Sequence, residues 1–440
     1  MISDSDLHEL KVYRELERSL ALETRPELGS LVVANSNDNT PVHRWFRFKE
    51  AYSPDLLGTL LGLWAPGRVS GTLLDPYCGV GTTLLSAQTL ASRELHAVGI
   101  EYNPFIRFVA ETKLAWPLVD PAALMSIGGK ILKATTRPSC EIPALSGLTT
   151  GRCMSRYVTG RLAAIRNAII EHGNSPTHRA LLLGLAAAIE PLSLTRKDGR
   201  ALRLVDKPRQ AVAPVLWQKW QTIADDVRAL KATGQRLNTV QVLAGDGRKP
   251  EPSAVPPGSV DIIVTSPPYP NNIDYSEVYK LELWLLGFVQ DAVAFLRLRK
   301  GTLRSHPTSD FSLPEHDFLR RVSTDRLKKG FQPLLSKLDT EHQKWRRRLF
   351  VAYFSDMATT LMQFYSVLRC DGLAFITVGN SLHGGKYVPY VIATDLLISE
   401  LARSFGFAVE RIAIARSLKR RLTGNHFLRE SVIVLRKPNA

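Results

Sequence analysis

The sequence predicts an α/β fold built on one open sheet of mostly parallel strands, interrupted by two long, mainly helical insertions. Three observations predict it. The stretch "GTLLDPYCGVGTTLLSAQTLASRELHAVGIEYNPF" (Gly71–Phe105) reads strand, glycine loop, helix, strand, a βαβ unit whose strands run parallel. Strand-like segments recur in three blocks separated by helical stretches. The first two blocks hold only two strands each, too few to bury a core alone, so all three belong to one sheet.

Each element follows in order. Leu73 and Leu74 run into Asp75 as the first strand, Thr82 to Leu90 has helical spacing, and "HAVGIE" is the second strand. Residues 121–237 are mostly helical, as in "GRLAAIRNAIIEHG" and "ALLLGLAAAIEPL". "NTVQVLAGD" and "VDIIVTS" are the third and fourth strands. Residues 285–350 are again helical, with 14 Lys and Arg against 7 Asp and Glu. "MATTLMQFYSVL" is a helix, "GLAFITVGN" a strand, "VIATDLLISELARSFG" a helix, and "FAVERIAIA" and "ESVIVLRK" a closing strand pair. The expected organisation is an N-terminal helix and cofactor-binding half over 1–120, a helical insertion over 121–237, core strands with a catalytic loop over 238–284, a basic helical insertion over 285–350, and the rest of the core over 351–440.

The chain has 440 residues, 45% of them hydrophobic, ample for a large core. Its formal charge of +16 points to a polyanionic partner, most often nucleic acid. The four cysteines, Cys78, Cys140, Cys153 and Cys370, form no CxxC pair and no zinc-spaced cluster with histidine. No metal site is expected, and scattered thiols fit a reducing cytoplasm. The first residues, "MISDSDLHEL", are no signal peptide, and no apolar stretch reaches membrane-spanning length.

"DPYCGVGTT" lies between strand and helix. Gly79 and Gly81 allow backbone angles closed to other residues and a close ligand approach. The helix beginning at Thr82 aims its N-terminal N–H groups at that ligand. Glu101, 20 residues past Gly81, stands where an acid accepts ribose hydroxyls in nucleotide-binding folds. The third glycine of G-x-G-x-x-G is replaced by Leu84, which disfavours a dinucleotide and suits a nucleoside cofactor without phosphate, such as S-adenosylmethionine. Asp246 in "LAGDGR" is either an adenine-amine acceptor or an ordinary Asp-Gly turn.

Ser266, Pro267, Pro268 and Tyr269 end the fourth strand, on the carboxyl edge where open α/β sheets bind ligands. Two prolines stiffen the loop and remove two N–H donors, leaving carbonyl acceptors, a hydroxyl and a ring. That set suits a flat group carrying an amine.

"TSPPY" resembles the (Asp/Asn/Ser)-Pro-Pro-(Tyr/Phe/Trp) motif of amino-group DNA methyltransferases, and "DPYCGVGTT" resembles their Asp-Pro-Phe-x-Gly-x-Gly-Thr cofactor motif. "RESVIVLRK" looks like their closing strand. The resemblance covers roughly the first 120 residues, 238–284 and 351–440. It implies a Rossmann-like class I methyltransferase sheet, S-adenosylmethionine held by Asp75, Pro76, Gly79, Gly81, Thr82, Glu101 and Asp246, and double-stranded DNA as substrate. Ser266 and the Pro267 carbonyl would hold the target amine and Tyr269 would stack on the flipped base. No cysteine follows a proline, so a carbon-5 cytosine mechanism is not expected, and Cys78 reads as packing. Serine at 266 leans towards N4 of cytosine. The cofactor motif precedes the catalytic motif, the reverse of many serine-type members, which keeps N6 of adenine open.

The resemblance further implies a helix within His43–Leu61 covering the methionine end of the cofactor, with Lys49 and Glu50 as candidates. Asn271, Asn272 and Tyr275 are candidate substrate contacts. The 285–350 insertion, with "LRLRKGTLR", "KWRRRL" and Trp345, is the first expectation for DNA reading, and the Thr195–Gln210 turn the second. A modification enzyme with a partner restriction nuclease is the expected setting. RNA or protein methylation and a silent nucleic-acid-binding protein are the competing classes.

Overall fold

A computed structural model describes residues 9–138, 153–197, 202–270, 273–311, 325–339, 344–384, 389–418 and 426–439. Its strands in chain order are β1 (Leu22–Thr24), β2 (Ser70–Asp75), β3 (Glu94–Glu101), β4 (Thr195–Lys197), β5 (Leu202–Leu204), β6 (Thr239–Ala244), β7 (Val260–Thr265), β8 (Leu368–Gly379), β9 (Ser381–His383), β10 (Tyr390–Ile392), β11 (Ala408–Ser417) and β12 (Arg429–Arg436). Eight form one sheet in the order β1-β11-β12-β8-β7-β2-β3-β6. The pairs from β8 through β7, β2 and β3 to β6 are parallel, and β12 runs antiparallel to both β8 and β11. This is the α/β, Rossmann-like sheet expected from the sequence, with helical insertions.

The chain winds outward in two directions from the β2–β7 pair. One half runs β2, β3, β6; the other begins at β7 and continues to β8. The order therefore reverses between β2 and β7, and a crevice opens at the carboxyl ends of those strands.

Both faces of the sheet are covered, and the alternation of side chains shows how. Leu73, Ile262 and Leu373 are register partners across β2, β7 and β8, and all three enter one core. Their successors Leu74, Ile263 and Ala374 enter the other. A period of two thus sends neighbours to opposite layers, and buried parallel strands read as continuous apolar runs.

Among the described residues, the 121–237 segment holds the helices Pro121–Ala134, Arg156–His172, Pro176–Leu192 and Val212–Ala232, together with the paired strands β4 and β5. They pack around Trp220, which is fully buried and donates its indole N–H to Leu181 O at 3.0 Å. Gly128 and Gly184 sit inside helices because a Cβ at either would stand 2.6 or 2.5 Å from the Trp220 ring. Each glycine costs about 1 kcal/mol of helix propensity, which the fit of the indole offsets.

Several elements differ from the sequence expectation. β1 adds an edge strand beside β11. Val391 and Ile392, expected in a helix, pair with β9, and the helix begins at Thr394; two β-branched residues favour the extended start. No helix covers Lys49 and Glu50: a short 3-10 turn at His43–Trp45 gives way to irregular chain with a turn at Lys49 and Glu50, and the α-helix spans Asp55–Trp64. "KWRRRL" opens the single helix Lys344–Val367, which crosses the expected 350/351 boundary and is buried for most of its length. Among the described residues no helix is long and apolar enough to cross a membrane.

Candidate active site

The glycine loop is set by backbone geometry. Gly79 has φ +53° and Gly81 φ +83°, both in the left-handed region that favours glycine. Gly81 stands at the N-cap of the Thr82–Thr89 helix. The loop is tied to β3 by Cys78 N–H donating to Ile100 O at 3.1 Å, and closed by Gly81 N–H donating to Cys78 O at 2.8 Å. Cys78 packs behind it, buried, with its thiol pushed up by burial. Gly99 on β3 must lack a side chain, since a Cβ would lie 2.8 Å from Cys78 Sγ.

Glu101 ends β3 against this loop. Its carboxylate accepts the Gly79 N–H at 3.1 Å and the Asn103 N–H at 2.7 Å. Burial nevertheless raises its pKa to about 7. Asp75 ends β2 and accepts the Tyr77 N–H at 3.2 Å, the Tyr52 hydroxyl at 3.5 Å and a close Thr83 hydroxyl. Burial raises its pKa to about 6. Asp75 therefore fixes the loop and the entry of the following helix.

Asp246 follows β6 in an Asp-Gly turn: the Arg248 N–H donates to its carboxylate at 2.9 Å and the Lys249 N–H to its carbonyl at 2.8 Å. Arg248 also places its guanidinium on that carboxylate at 2.8 Å. An adenine amine would share Asp246 with this cation. Arg248 continues to Asp356 at 2.8 Å, and Asp356 is bound by Arg304 at 2.6 Å. Gly247 is demanded by close approach, because a Cβ there would meet Pro76 O at 2.0 Å.

These parts line one cleft, open to solvent, at the switch point of the sheet. Asp75, Pro76, Gly79, Thr82, Glu101 and Asp246 line it together with Ser266 and Pro268. Gly81 stands behind the loop, and Pro267 and Tyr269 also lie outside the lining. Residues Gly301 to Leu303 close one side. They belong to the insertion expected to meet DNA, and Arg299 and Arg304 nearby are engaged by Asp274 and Asp356 instead.

Tyr269 turns towards β8 and β12. Its hydroxyl donates to Glu430 Oε1 at 3.0 Å and accepts from Ser266 Oγ at 3.3 Å, and Arg416 holds the other Glu430 oxygen at 2.7 Å. Its ring edge rests on Gly379, where a Cβ would lie 2.9 Å away. Tyr275, at the start of the Tyr275–Val278 helix, lines the cleft and stacks on Phe48, which stacks on Tyr279. Glu50 lines the cleft and accepts the Tyr279 hydroxyl at 3.1 Å, and burial raises its pKa. Lys49 instead donates to Lys197 O on β4. Asn271 and Asn272 lie outside the described residues.

The donor set fits a nucleoside-bearing cofactor. Asn103 Nδ2 and Ser276 Oγ are buried without a partner, and both residues line the cleft. A polar ligand would satisfy them, alongside the Glu101 carboxylate. Reading the sequence missed Phe48, Tyr52, Asn103 and Ser276, together with Glu430 and Arg416. Asn103 caps the Pro104–Leu114 helix, accepting the Phe105 and Ile106 N–H groups, while its Nδ2 faces the cleft side without a partner. Among the described residues no group of three or more metal-ligating side chains is placed to hold an ion.

Comparison with known proteins places the chain beside enzymes of one kind. It is 24% identical over 455 residues to the Type II methyltransferase M.AvaI of Nostoc sp., covering 93% of this chain and 89% of the relative. It is 23% identical over 467 residues to the Type II methyltransferase M.BsoBI of Geobacillus stearothermophilus, covering 94% and 89%. No family model matches the chain. Among solved structures, an rRNA methyltransferase from Streptomyces viridochromogenes aligns over 90% of this chain and 85% of its own, at 12% identity and a TM-score of 0.32. At that score the likeness carries no weight, and the strand order assigns the fold.

Proposed function

We propose that the chain is a DNA methyltransferase that moves a methyl group from S-adenosylmethionine to the exocyclic N4 amine of cytosine, as the modification partner of a restriction nuclease. One observation carries this reading: the glycine loop with Glu101 and the Ser266–Pro268 corner open onto a single cleft at the sheet's switch point. Similarity to Type II methyltransferases over nearly the whole chain supports it.

When bound, the cofactor supplies an electrophilic methyl group on a sulfonium. The residues do the rest by position. Glu101 would accept the ribose hydroxyls, and the Gly79–Gly81 backbone would let the ligand lie against the loop. Ser266 Oγ and the Pro267 carbonyl would accept the two amine hydrogens, since the prolines leave only acceptors on that rim. Holding both hydrogens turns the nitrogen lone pair towards the methyl group, so the gain is orientation and electrostatics without a covalent intermediate. Tyr269, whose hydroxyl is held by Ser266 and Glu430, would have to turn from Gly379 into the cleft to stack on the base. The chain order of the two motifs keeps N6 of adenine as the second reading.

The test is transfer of labelled methyl from S-adenosylmethionine to plasmid DNA, to RNA and to protein in parallel. Label on DNA supports the proposal. Label on RNA or protein alone would overturn it.

A further inference from the structure

The segment 299–306 belongs to the basic insertion expected to meet DNA, yet it is built into the cleft. Gly301, Thr302 and Leu303 line it, directly after the helix Ala292–Gly301. Arg248 donates to Gly301 O at 2.8 Å while pairing with Asp246, which ties the backbone here to the end of β6. Arg304 donates its N–H to Asp356 at 2.8 Å and its guanidinium to the same carboxylate at 2.6 Å. Tyr102, which follows Glu101 and also lines the cleft, reaches across to Gly301, where a Cβ would overlap its hydroxyl.

A buried polar chain leads from this wall to the residues that follow the catalytic corner. Thr302 Oγ1 donates to Arg299 O at 2.9 Å; its one proton is then used, so it accepts the His306 Nε2–H at 2.9 Å. His306 is 1% exposed, and its Nδ1 lies 3.5 Å from Asp274 Oδ2. Arg299 donates its Nε–H to the same oxygen at 2.6 Å and a further N–H to Thr308 Oγ1 at 2.8 Å. Asp274 caps the Tyr275–Val278 helix, accepting the Glu277 N–H at 3.2 Å. Tyr275 and Ser276 line the cleft, and Ser276 Oγ is buried without a partner. The chain therefore begins on the cleft at Thr302 and returns to it at Ser276. Asp274 and His306 are both buried, which turns this part of the insertion away from any duplex.

We infer that the segment 299–306 is a cofactor strap: its backbone walls the adenosine side of the cleft, and His306, acting through Asp274, positions the Ser276 hydroxyl to bond the ligand. The inference rests on the S-adenosylmethionine reading above. Glu101 and Asp246 place the adenosine at this wall, and Arg248 anchors the strap beside Asp246. Ser276 Oγ supplies the polar atom that a ligand completes. His306 and Asp274 are positioning residues, and their effect comes from holding others in place, where a displacement of about 1 Å can cost on the order of 100-fold.

The experiment is calorimetric titration of the full chain with S-adenosylmethionine, beside fluorescence anisotropy of a labelled duplex. His306→Phe keeps a ring and removes both nitrogens; His306→Gln keeps a donor for Thr302. His306→Phe is expected to bind the cofactor about tenfold more weakly, and His306→Gln to recover most of that loss, as one buried hydrogen bond is removed and restored. Duplex affinity should be unchanged in both. Arg236→Ala, at an exposed pair with Glu94, is the control and should alter neither. Hydrogen exchange of the wild type reads the strap without any substitution: S-adenosylmethionine should slow amide exchange both in 299–306 and in 274–279. Unchanged cofactor affinity in folded His306→Phe, or exchange in 299–306 that the cofactor does not slow, would refute the strap. Loss of duplex affinity with cofactor affinity intact would return the segment to DNA reading and refute it equally. Folded wild type that binds no S-adenosylmethionine would overturn the cofactor reading itself and the strap with it.

Discussion

Cofactor affinity should depend on pH through Glu101. Acceptance of ribose hydroxyls needs the ionised carboxylate, and burial sets its pKa near 7 in the free protein. At pH 8 about nine-tenths of the molecules carry the anion and at pH 6 about one-tenth. Affinity for S-adenosylmethionine should therefore fall about ninefold from pH 8 to pH 6, roughly 1.3 kcal/mol. Asp75 is also raised, to about 6, so Glu101→Gln is the control that assigns the slope to Glu101. Calorimetric titration across that interval measures the slope. Glu101→Gln should bind roughly 10- to 100-fold more weakly at pH 8, as a charge-assisted bond of about 1.5–3 kcal/mol is lost, and should show no slope. A flat profile in the wild type, or an equal slope in the variant, would refute this role. The same shift has a stability signature. A carboxyl with a raised folded pKa favours the native state most below its unfolded value, and that contribution is lost as pH rises through about 7. Glu101→Gln should flatten that decline in denaturant melts of the free protein.

Further predictions concern the rest of the site. Ser266→Ala should cut kcat about 100-fold or more, with cofactor affinity unchanged in calorimetry. Glu430→Gln should lower kcat about tenfold by loosening Tyr269, and Tyr269→Phe should match it, the pair being non-additive in a double-mutant cycle. Gly247→Ala should destabilise the chain by about 1–3 kcal/mol, read as a lowered Tm, because the new Cβ meets the Pro76 carbonyl. Asp356→Asn should cost about 3–5 kcal/mol by stranding the buried Arg304, while Arg248 keeps Asp246. It should also weaken cofactor binding through the Gly301–Leu303 wall.

The sheet was legible because its signals are local. Ile262-Ile263-Val264 is a continuous apolar run, as is the shorter Leu73-Leu74 before Asp75, the mark of strands buried on both faces, and Gly79 and Gly81 occupy positions whose angles favour glycine. The two loops could be placed on one edge because open α/β sheets put strand ends there. Partners distant in sequence were not legible. Glu430 lies 161 residues from Tyr269, and Asp356 lies 108 from Arg248; only the register of β12 against β8 and the course of the Lys344–Val367 helix bring them together. Charge misled in one place. Arg299 and Arg304 looked like DNA contacts, yet Asp274 and Asp356 turn them inward. Lys49 and Glu50 were expected on a helix, but a turn in irregular chain places Glu50 on the cleft wall and Lys49 on β4. Asp246 was open between an adenine acceptor and an Asp-Gly turn; the turn forms, and Arg248, two residues away, holds its carboxylate.

The measurement that bears most directly on the central claim is nucleoside mass spectrometry of plasmid DNA incubated with the protein and S-adenosylmethionine, with Ser266→Ala beside it. The account predicts N4-methylcytosine from the wild type and none from the variant. N6-methyladenine would overturn the base assignment while leaving the site intact. Unmodified DNA from protein that binds the cofactor would contradict the account.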